Sequence, residues 1–68
     1  MKYIRIKCYK NNRKDCDCVI NIKRIDCVVH YINDEGEDEI KVFLSGSDCP
    51  IIAYNYTLES ILYLIENA

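Results

Sequence analysis

The 68-residue chain contains no tryptophan, one methionine, one phenylalanine, one histidine, one proline, two glycines and two alanines. Each shortage excludes something. Two glycines, Gly36 and Gly46, cannot build the glycine-rich loops that cradle phosphates, and no G-x-G-x-x-G or P-loop is present. A single histidine, without a G-x-S-x-G or an H-E-x-x-H, removes the usual hydrolase and zinc-protease arrangements. Charge of one sign is also lacking. Nine basic side chains stand against eleven acidic ones, for a net charge of -2, so a general electrostatic grip on duplex DNA is not expected. No apolar run approaches the roughly 18 residues a membrane-crossing helix needs. Met1-Lys2-Tyr3-Ile4-Arg5 alternates in polarity, unlike the core of a signal peptide, so a cytoplasmic protein in a reducing compartment is expected.

What is present is enough apolar surface for one small core, because half of the residues are hydrophobic and 29% are charged. A chain this short buries only about 60% of the surface it exposes when unfolded. Such a core rarely gives more than about 3–5 kcal/mol without a disulfide, a metal or a partner subunit. A deep, water-excluding catalytic cleft does not fit within it.

Cys8, Cys16, Cys18, Cys27 and Cys49 are five, an odd number, so one chain cannot pair them all. Cys16-x-Cys18 with Cys8, and Cys27-x-x-His30, lack the paired C-x₂₋₄-C spacing of structural zinc. The five therefore read as small buried hydrophobes, and neither metal nor cofactor is expected. Eleven isoleucines with six each of lysine, asparagine and tyrosine are residues of AT-rich codons. They point to a low-GC bacterium or its phage as the source.

Periodicity organises the chain into one domain, residues 1–68. Residues 3–9 alternate, with Ile4, Ile6 and Cys8 on one face and Tyr3, Arg5, Lys7 and Tyr9 on the other, which predicts a half-buried strand. Residues 10–15 form a polar break in which Asn11-Asn12 tolerates the positive φ of a tight hairpin. The return strand is expected at 16–22, with Cys18, Ile20 and Ile22 in phase. After the step Lys23-Arg24 a third strand follows at 25–32, apolar in both phases, so it is either covered on both faces or shifted by a bulge. Asp34, Glu35, Glu37 and Asp38 surround Gly36 in an acidic turn. Strand four, 39–45, directs Ile40, Val42 and Leu44 inward and Lys41 and Phe43 outward. Strand five, 49–54, has Pro50 at its beginning, where a missing N–H is tolerated. The period then changes. Thr57 is a good N-cap, Tyr56 precedes it, and Leu58, Ile61, Leu62 and Ile65 recur at helical spacing, which predicts a helix over 58–67. The expected fold is mainly β with one C-terminal helix: a curled, five-stranded antiparallel meander, SH3-like or a partly open barrel.

Several segments carry a resemblance. Ile20 to Val28 contains an N-x-x-x-I step, Ile40 to Gly46 a strand running into a glycine turn, and Leu58 to Ile65 a helix opened by Thr57. In this layout the chain resembles the short FlbD-like proteins and small phage or prophage proteins of the same outline, over about residues 18 to 66. The resemblance implies a fold and carries no catalytic residue. The cysteine-rich hairpin and the basic break at 10–15 depart from it.

Among candidate sites, Cys27 and His30 are three apart on a strand and point to opposite faces, so a Cys–His nucleophile pair is not expected, and neither is an enzyme. The acidic turn is half the length of a calcium loop and reads as a solvated loop. Tyr3, Arg5, Lys7 and Tyr9, with Lys41 and Phe43, interleave cations and rings, a combination that pairs phosphates while bases stack. Val29, Tyr54, Tyr63 and Leu64 exceed what a core of this size takes in and are expected at an interface between copies. The expectation is a non-enzymatic homo-oligomer acting by binding. Its ligand is expected to be small and anionic, such as a nucleotide immune signal sequestered by a phage accessory protein. The alternative is an adaptor or inhibitor docking on a host protein. Neither membrane nor duplex DNA is an expected partner.

Overall fold

The computed structural model describes residues 2–10 and 13–68, with Lys10, Lys14 and Asp15 described as backbone. It is mainly β: strands β1 (Tyr3–Lys10), β2 (Arg13–Asn21), β3 (Ile25–Ile32), β4 (Asp38–Leu44) and β5 (Ile51–Tyr54), then helix α1 (Leu58–Glu66). A 3-10 turn, Ile22–Arg24, joins β2 to β3. The five strands form one open antiparallel sheet in the order β2-β1-β5-β4-β3. Read from β3, the order is 3-4-5-1-2. It is a meander in cyclic sense, with β1 paired to β5.

This order forces the sheet to curl. β2 and β3 are its two edges, four strand spacings apart, which is at least roughly 19 Å if the sheet were flat. The 3-10 turn that links them advances only about 8 Å from Asn21 to Ile25. The edges must therefore bend toward each other, and hydrogen bonds hold the corner. The Asn21 side chain accepts from the Lys23 N–H at 3.0 Å and starts the turn. The Ile22 N–H donates to the Lys2 carbonyl at 3.1 Å, and the Ser45 N–H donates to the Arg24 carbonyl at 2.8 Å. The beginning of β1 and the end of β4 thus meet at one corner.

Inside the curl lie Ile4, Ile6, Ile20, Ile40, Val42 and Ala53, with Ile61 of the helix closing the open side. Ile6, Ile40, Val42 and Ile61 are at most 1% exposed. Burial of each of these side chains contributes about 1.5–3 kcal/mol. The helix forms here because Thr57 caps it. The Thr57 side chain accepts from the Ser60 N–H, while the Ser60 hydroxyl accepts from the Thr57 N–H. Asn67 ends it, its side-chain amide donating to the Tyr63 carbonyl at 2.8 Å.

Several boundaries differ from expectation. β2 begins at Arg13 instead of Cys16, because Lys10 and Arg13 already pair across the hairpin. The turn expected at Asn11-Asn12 lies outside the described residues. Ile22 leaves β2 for the 3-10 turn that Asn21 caps. β4 runs over Asp38–Leu44, one residue earlier than expected at each end. β5 begins at Ile51, since Pro50 has no N–H to give the ladder. β3 is not covered on both faces. It is an edge strand with no fully buried residue, and a bulge shifts its phase, since Ile25 pairs with Leu44 but Cys27 pairs with Phe43.

Candidate functional site

The outer face of β1 carries Tyr3, Arg5, Lys7 and Tyr9, as alternation requires. Tyr3 is 51% exposed, and Arg5 and Lys7 are exposed beside it. The Lys7 ammonium lies 3.0 Å from Asp17 on β2, and the Lys7 N–H donates to the Tyr56 hydroxyl at 3.0 Å. Because β5 lies between β1 and β4, the six expected ligand residues do not form one cluster. Tyr9, Ile52 and Lys41 stand in one cross-strand row, so Tyr9 and Lys41 share the face with an isoleucine between them. Phe43, 37% exposed, lies beyond that row toward the 3-10 corner, opposite Cys27.

The middle of this face is a tyrosine cluster. The rings of Tyr9 and Tyr54 are 4.7 Å apart at 48°. The Lys41 ammonium sits 4.6 Å from the Tyr31 ring centroid, a cation–π contact. The Tyr31 hydroxyl donates to Glu39 at 2.5 Å, and Glu39 is only 9% exposed. Burial, and then the adjoining Glu39 carboxylate, push the Tyr31 phenol up to about 12. Tyr54, expected at an interface, is instead buried under Tyr9, which takes it out of the exposed surface. Leu64 is half-buried against the core, as the helix turns that flank toward the sheet. Val29 and Tyr63 remain exposed.

Two places concentrate charge of opposite sign. At the 3-10 corner, Lys23 and Arg24 lie in the turn, Ile22 bonds Lys2 at the start of β1, and Arg24 bonds Ser45 after β4; Lys2, Lys23 and Arg24 are all exposed. The Arg24 guanidinium donates to the Ser45 carbonyl at 3.0 Å and lies over Gly46, where a Cβ would meet it at 3.9 Å. At the other place, a cleft of about 750 Å³ opens where β4 starts, β5 ends and α1 begins. Tyr9, Tyr54 and Tyr56 form apolar parts of its wall, and Glu37, Asp38, Glu39 and Glu59 supply carboxylates. Such a lining repels an anion. The acidic turn is exposed from Asp34 to Asp38, as a solvated loop is, and its end borders the cleft. Asn33 shapes it, its side-chain oxygen accepting from the N–H groups of Glu35 and Glu37, and it delivers Glu37 and Asp38 to the cleft wall. No periodicity in the sequence distinguishes these carboxylates from solubilising ones.

His30 is bound by Asp38, Nε2 to Oδ1 at 2.9 Å. It shares the inner-face register of Ile40, while Cys27 sits opposite Phe43 on the outer face, so the two are not a pair. None of the five cysteines is in a disulfide: Cys8 is buried, Cys16 and Cys18 are half-buried, and Cys27 and Cys49 are exposed. Among the described residues, no three or more His, Cys, Asp or Glu side chains are grouped to hold a metal ion, and no helix is long and apolar enough to cross a membrane. Comparison with protein-family models, with curated proteins and with solved structures returns no match.

Proposed function

We propose that this chain is a non-enzymatic, homo-oligomeric binding protein that holds a small anionic ligand of the nucleotide class at a subunit boundary. One observation carries the reading. In a chain of net charge -2, exposed Lys2, Lys23 and Arg24 lie in or next to the 3-10 turn whose Ile22 N–H bonds the start of β1, the strand that carries Arg5 and the half-exposed Tyr3. Cations can meet phosphate oxygens while a base lies on the ring. In this reading a second copy supplies the wall that encloses the ligand, so ligand and assembly go together. The acidic cleft is unsuited to the same ligand. A phage accessory protein that sequesters a nucleotide immune signal in a bacterial cytoplasm is the specific form proposed.

The experiment is native mass spectrometry of the purified chain with added mono-, di- and cyclic nucleotides, followed by a denaturing spectrum. The expected result is an oligomer with nucleotide adducts that vanish on denaturation. Arg5→Ala and Arg24→Ala are expected to lose the adduct and keep the assembly. Lys7→Ala is expected to have the smaller effect, because Asp17 already neutralises that ammonium. A monomer, or adducts unchanged in Arg5→Ala and Arg24→Ala, overturns the site.

A second reading is favoured by the outer surface of α1, where Leu62 and Tyr63 are 48% and 66% exposed. Exposed neighbours of this kind suit docking on a host protein. This adaptor reading expects charge substitution at Tyr63 to abolish a heteromeric complex and to leave nucleotide adducts unaffected.

A further inference from the structure

We infer that Cys8 and Cys16 form a reversible dithiol–disulfide site that staples β1 to β2. The two residues are direct partners in the β1–β2 ladder. Directly opposed residues of an antiparallel pair lie on the same face, here the inner one, which Cys8 shares with Ile4 and Ile6.

The hydrogen-bond phase of β1 gives the spacing. The Lys7 N–H points away from β2 to the Tyr56 hydroxyl, and the Lys2 carbonyl accepts from Ile22 beyond the end of β2. Even-numbered residues of β1 therefore bond to β2, and Cys8 with Cys16 is a hydrogen-bonded pair, whose Cα atoms stand about 5.5 Å apart. That separation is within the about 4.4–6.8 Å that disulfides span, but a hydrogen-bonded pair is the one with the wider-set side chains, so the bond also requires the Cβ atoms to be drawn in to about 3.5–4.5 Å. Cys18 pairs with Ile6 and is only a diagonal neighbour of Cys8, about 7–8 Å away across the ladder. Cys27 and Cys49 are not on this hairpin. Of the four other thiols, only that of Cys16 faces Cys8. The register shift between Cys8 and Lys10 breaks the regular ladder next to the pair and gives the backbone room to adjust.

Exposure assigns the order of events. Cys16 is half-buried, and its thiol donates weakly to the Arg13 carbonyl at 3.9 Å, at the entrance to the hairpin. Cys8 is 5% exposed. With a small-molecule disulfide such as glutathione disulfide as oxidant, the Cys16 thiolate attacks one sulfur, forms a mixed disulfide and releases one thiolate. The Cys8 thiolate then attacks the Cys16 sulfur, forms the Cys8–Cys16 bond and releases the second thiolate. Two protein thiols are oxidised, one oxidant disulfide is reduced to two thiols, and the two protons go to the released thiolates. The product ties the sheet's edge strand β2 covalently to its only neighbour, β1.

The test treats the full chain with glutathione disulfide, blocks remaining thiols and measures mass before and after reduction. The link itself removes two hydrogens, about 2 Da, and in the blocked protein it shows as two blocking groups fewer than in the reduced chain, both taken up after dithiothreitol. Trypsin cleaves after Lys7, Lys10, Lys14 and Lys23, so residues 8–10 are expected to travel joined to residues 15–23. Fragmentation of that pair, and the Cys18→Ser variant, separate Cys16 from Cys18. Cys18→Ser is expected to keep the link and Cys16→Ser to lose it, accumulating no intramolecular disulfide. Circular dichroism of each variant checks folding, and the wild-type peptide map decides the matter even if a variant unfolds. No loss of hydrogens, a Cys16–Cys18 link, or a link between two chains overturns the assignment.

Discussion

Tyr31 and Glu39 face each other across the β3–β4 ladder, and the phenol of one donates to the carboxylate of the other at 2.5 Å. Burial first, and the Glu39 carboxylate next, raise the phenol from 10.0 to about 12. A raised pKa means that the folded state favours the protonated phenol. The resulting stability is fully present below pH 10 and is lost as pH rises from about 10 to about 12. A full two-unit shift would be worth about 2.7 kcal/mol, but Tyr31 is partly solvated, so about 1 kcal/mol is the expected loss. Urea midpoints measured from pH 8 to pH 12 are expected to fall over that window in the wild type and to stay flatter there in Tyr31→Phe. At pH 7 the same variant removes a donor from a nearly buried carboxylate and is expected to cost about 1–3 kcal/mol. Equal pH profiles for the two proteins would contradict the coupling.

The two exposed ends of the thiol scale make a second prediction. Cys27 and Cys49 are exposed, while Cys8 is 5% exposed beneath the hairpin. A maleimide probe is expected to label Cys27 and Cys49 within the dead time of a slow experiment. Cys8 is expected to react at least about a hundredfold more slowly, since its thiol is reached only through local opening. Peptide mapping of a labelling time course measures this directly. Comparable rates at Cys8 and Cys27 would mean that the β1–β2 hairpin is open in solution.

Much of this architecture is legible in the sequence, and the reasons are local. Alternation at Ile4, Ile6 and Cys8 marks the inner face of β1, and Thr57 with Leu58, Ile61 and Ile65 marks the helix and its buried stripe. Strand order is different in kind. It depends on which edges meet, and no residue pattern announces that β5 inserts between β1 and β4. For that reason Tyr9 and Lys41 read as neighbours on a common face but have Ile52 between them. The same non-local fact hides the tyrosine cluster. Tyr54 looks like surplus apolar surface until the ring of Tyr9, 45 positions earlier, packs against it at a tilt. Glu39 looks like the polar start of a strand until Tyr31 closes over it.

The proposed assembly makes a third prediction at the edge of the sheet. β3 carries Val29 at 41% and Ile32 at 65% exposure, and Phe43 on the neighbouring strand adds a third exposed apolar side chain. A long, weakly charged edge invites pairing with another strand, and a lysine on such an edge is a common block to it. Val29→Lys is expected to shift the sedimentation distribution toward monomer with a change in urea midpoint no larger than that of an ordinary surface substitution, about 0.5 kcal/mol. An unchanged distribution would remove β3 from the interface and leave the helix face of Leu62 and Tyr63 as the remaining candidate.

The helix offers the sharpest comparison, because two adjacent residues of similar size meet opposite environments. Ile61 is 0% exposed and plugs the open side of the curled sheet, whereas Leu62 is 48% exposed. Truncating a buried isoleucine removes its transfer free energy and leaves a cavity, about 2–5 kcal/mol together. A core of this size rarely holds more than about 3–5 kcal/mol in total, so Ile61→Ala is expected to be largely unfolded as an isolated chain. Leu62→Ala is expected to keep the wild-type urea midpoint to within about 0.5 kcal/mol, since it loses little buried area. Assembly changes the first expectation in a measurable way. If copies bind one another only when folded, mass action adds stability that grows with concentration. Ile61→Ala is then expected to regain helical and sheet circular dichroism as its concentration is raised, and a signal independent of concentration would show that the fold stands on the single chain alone.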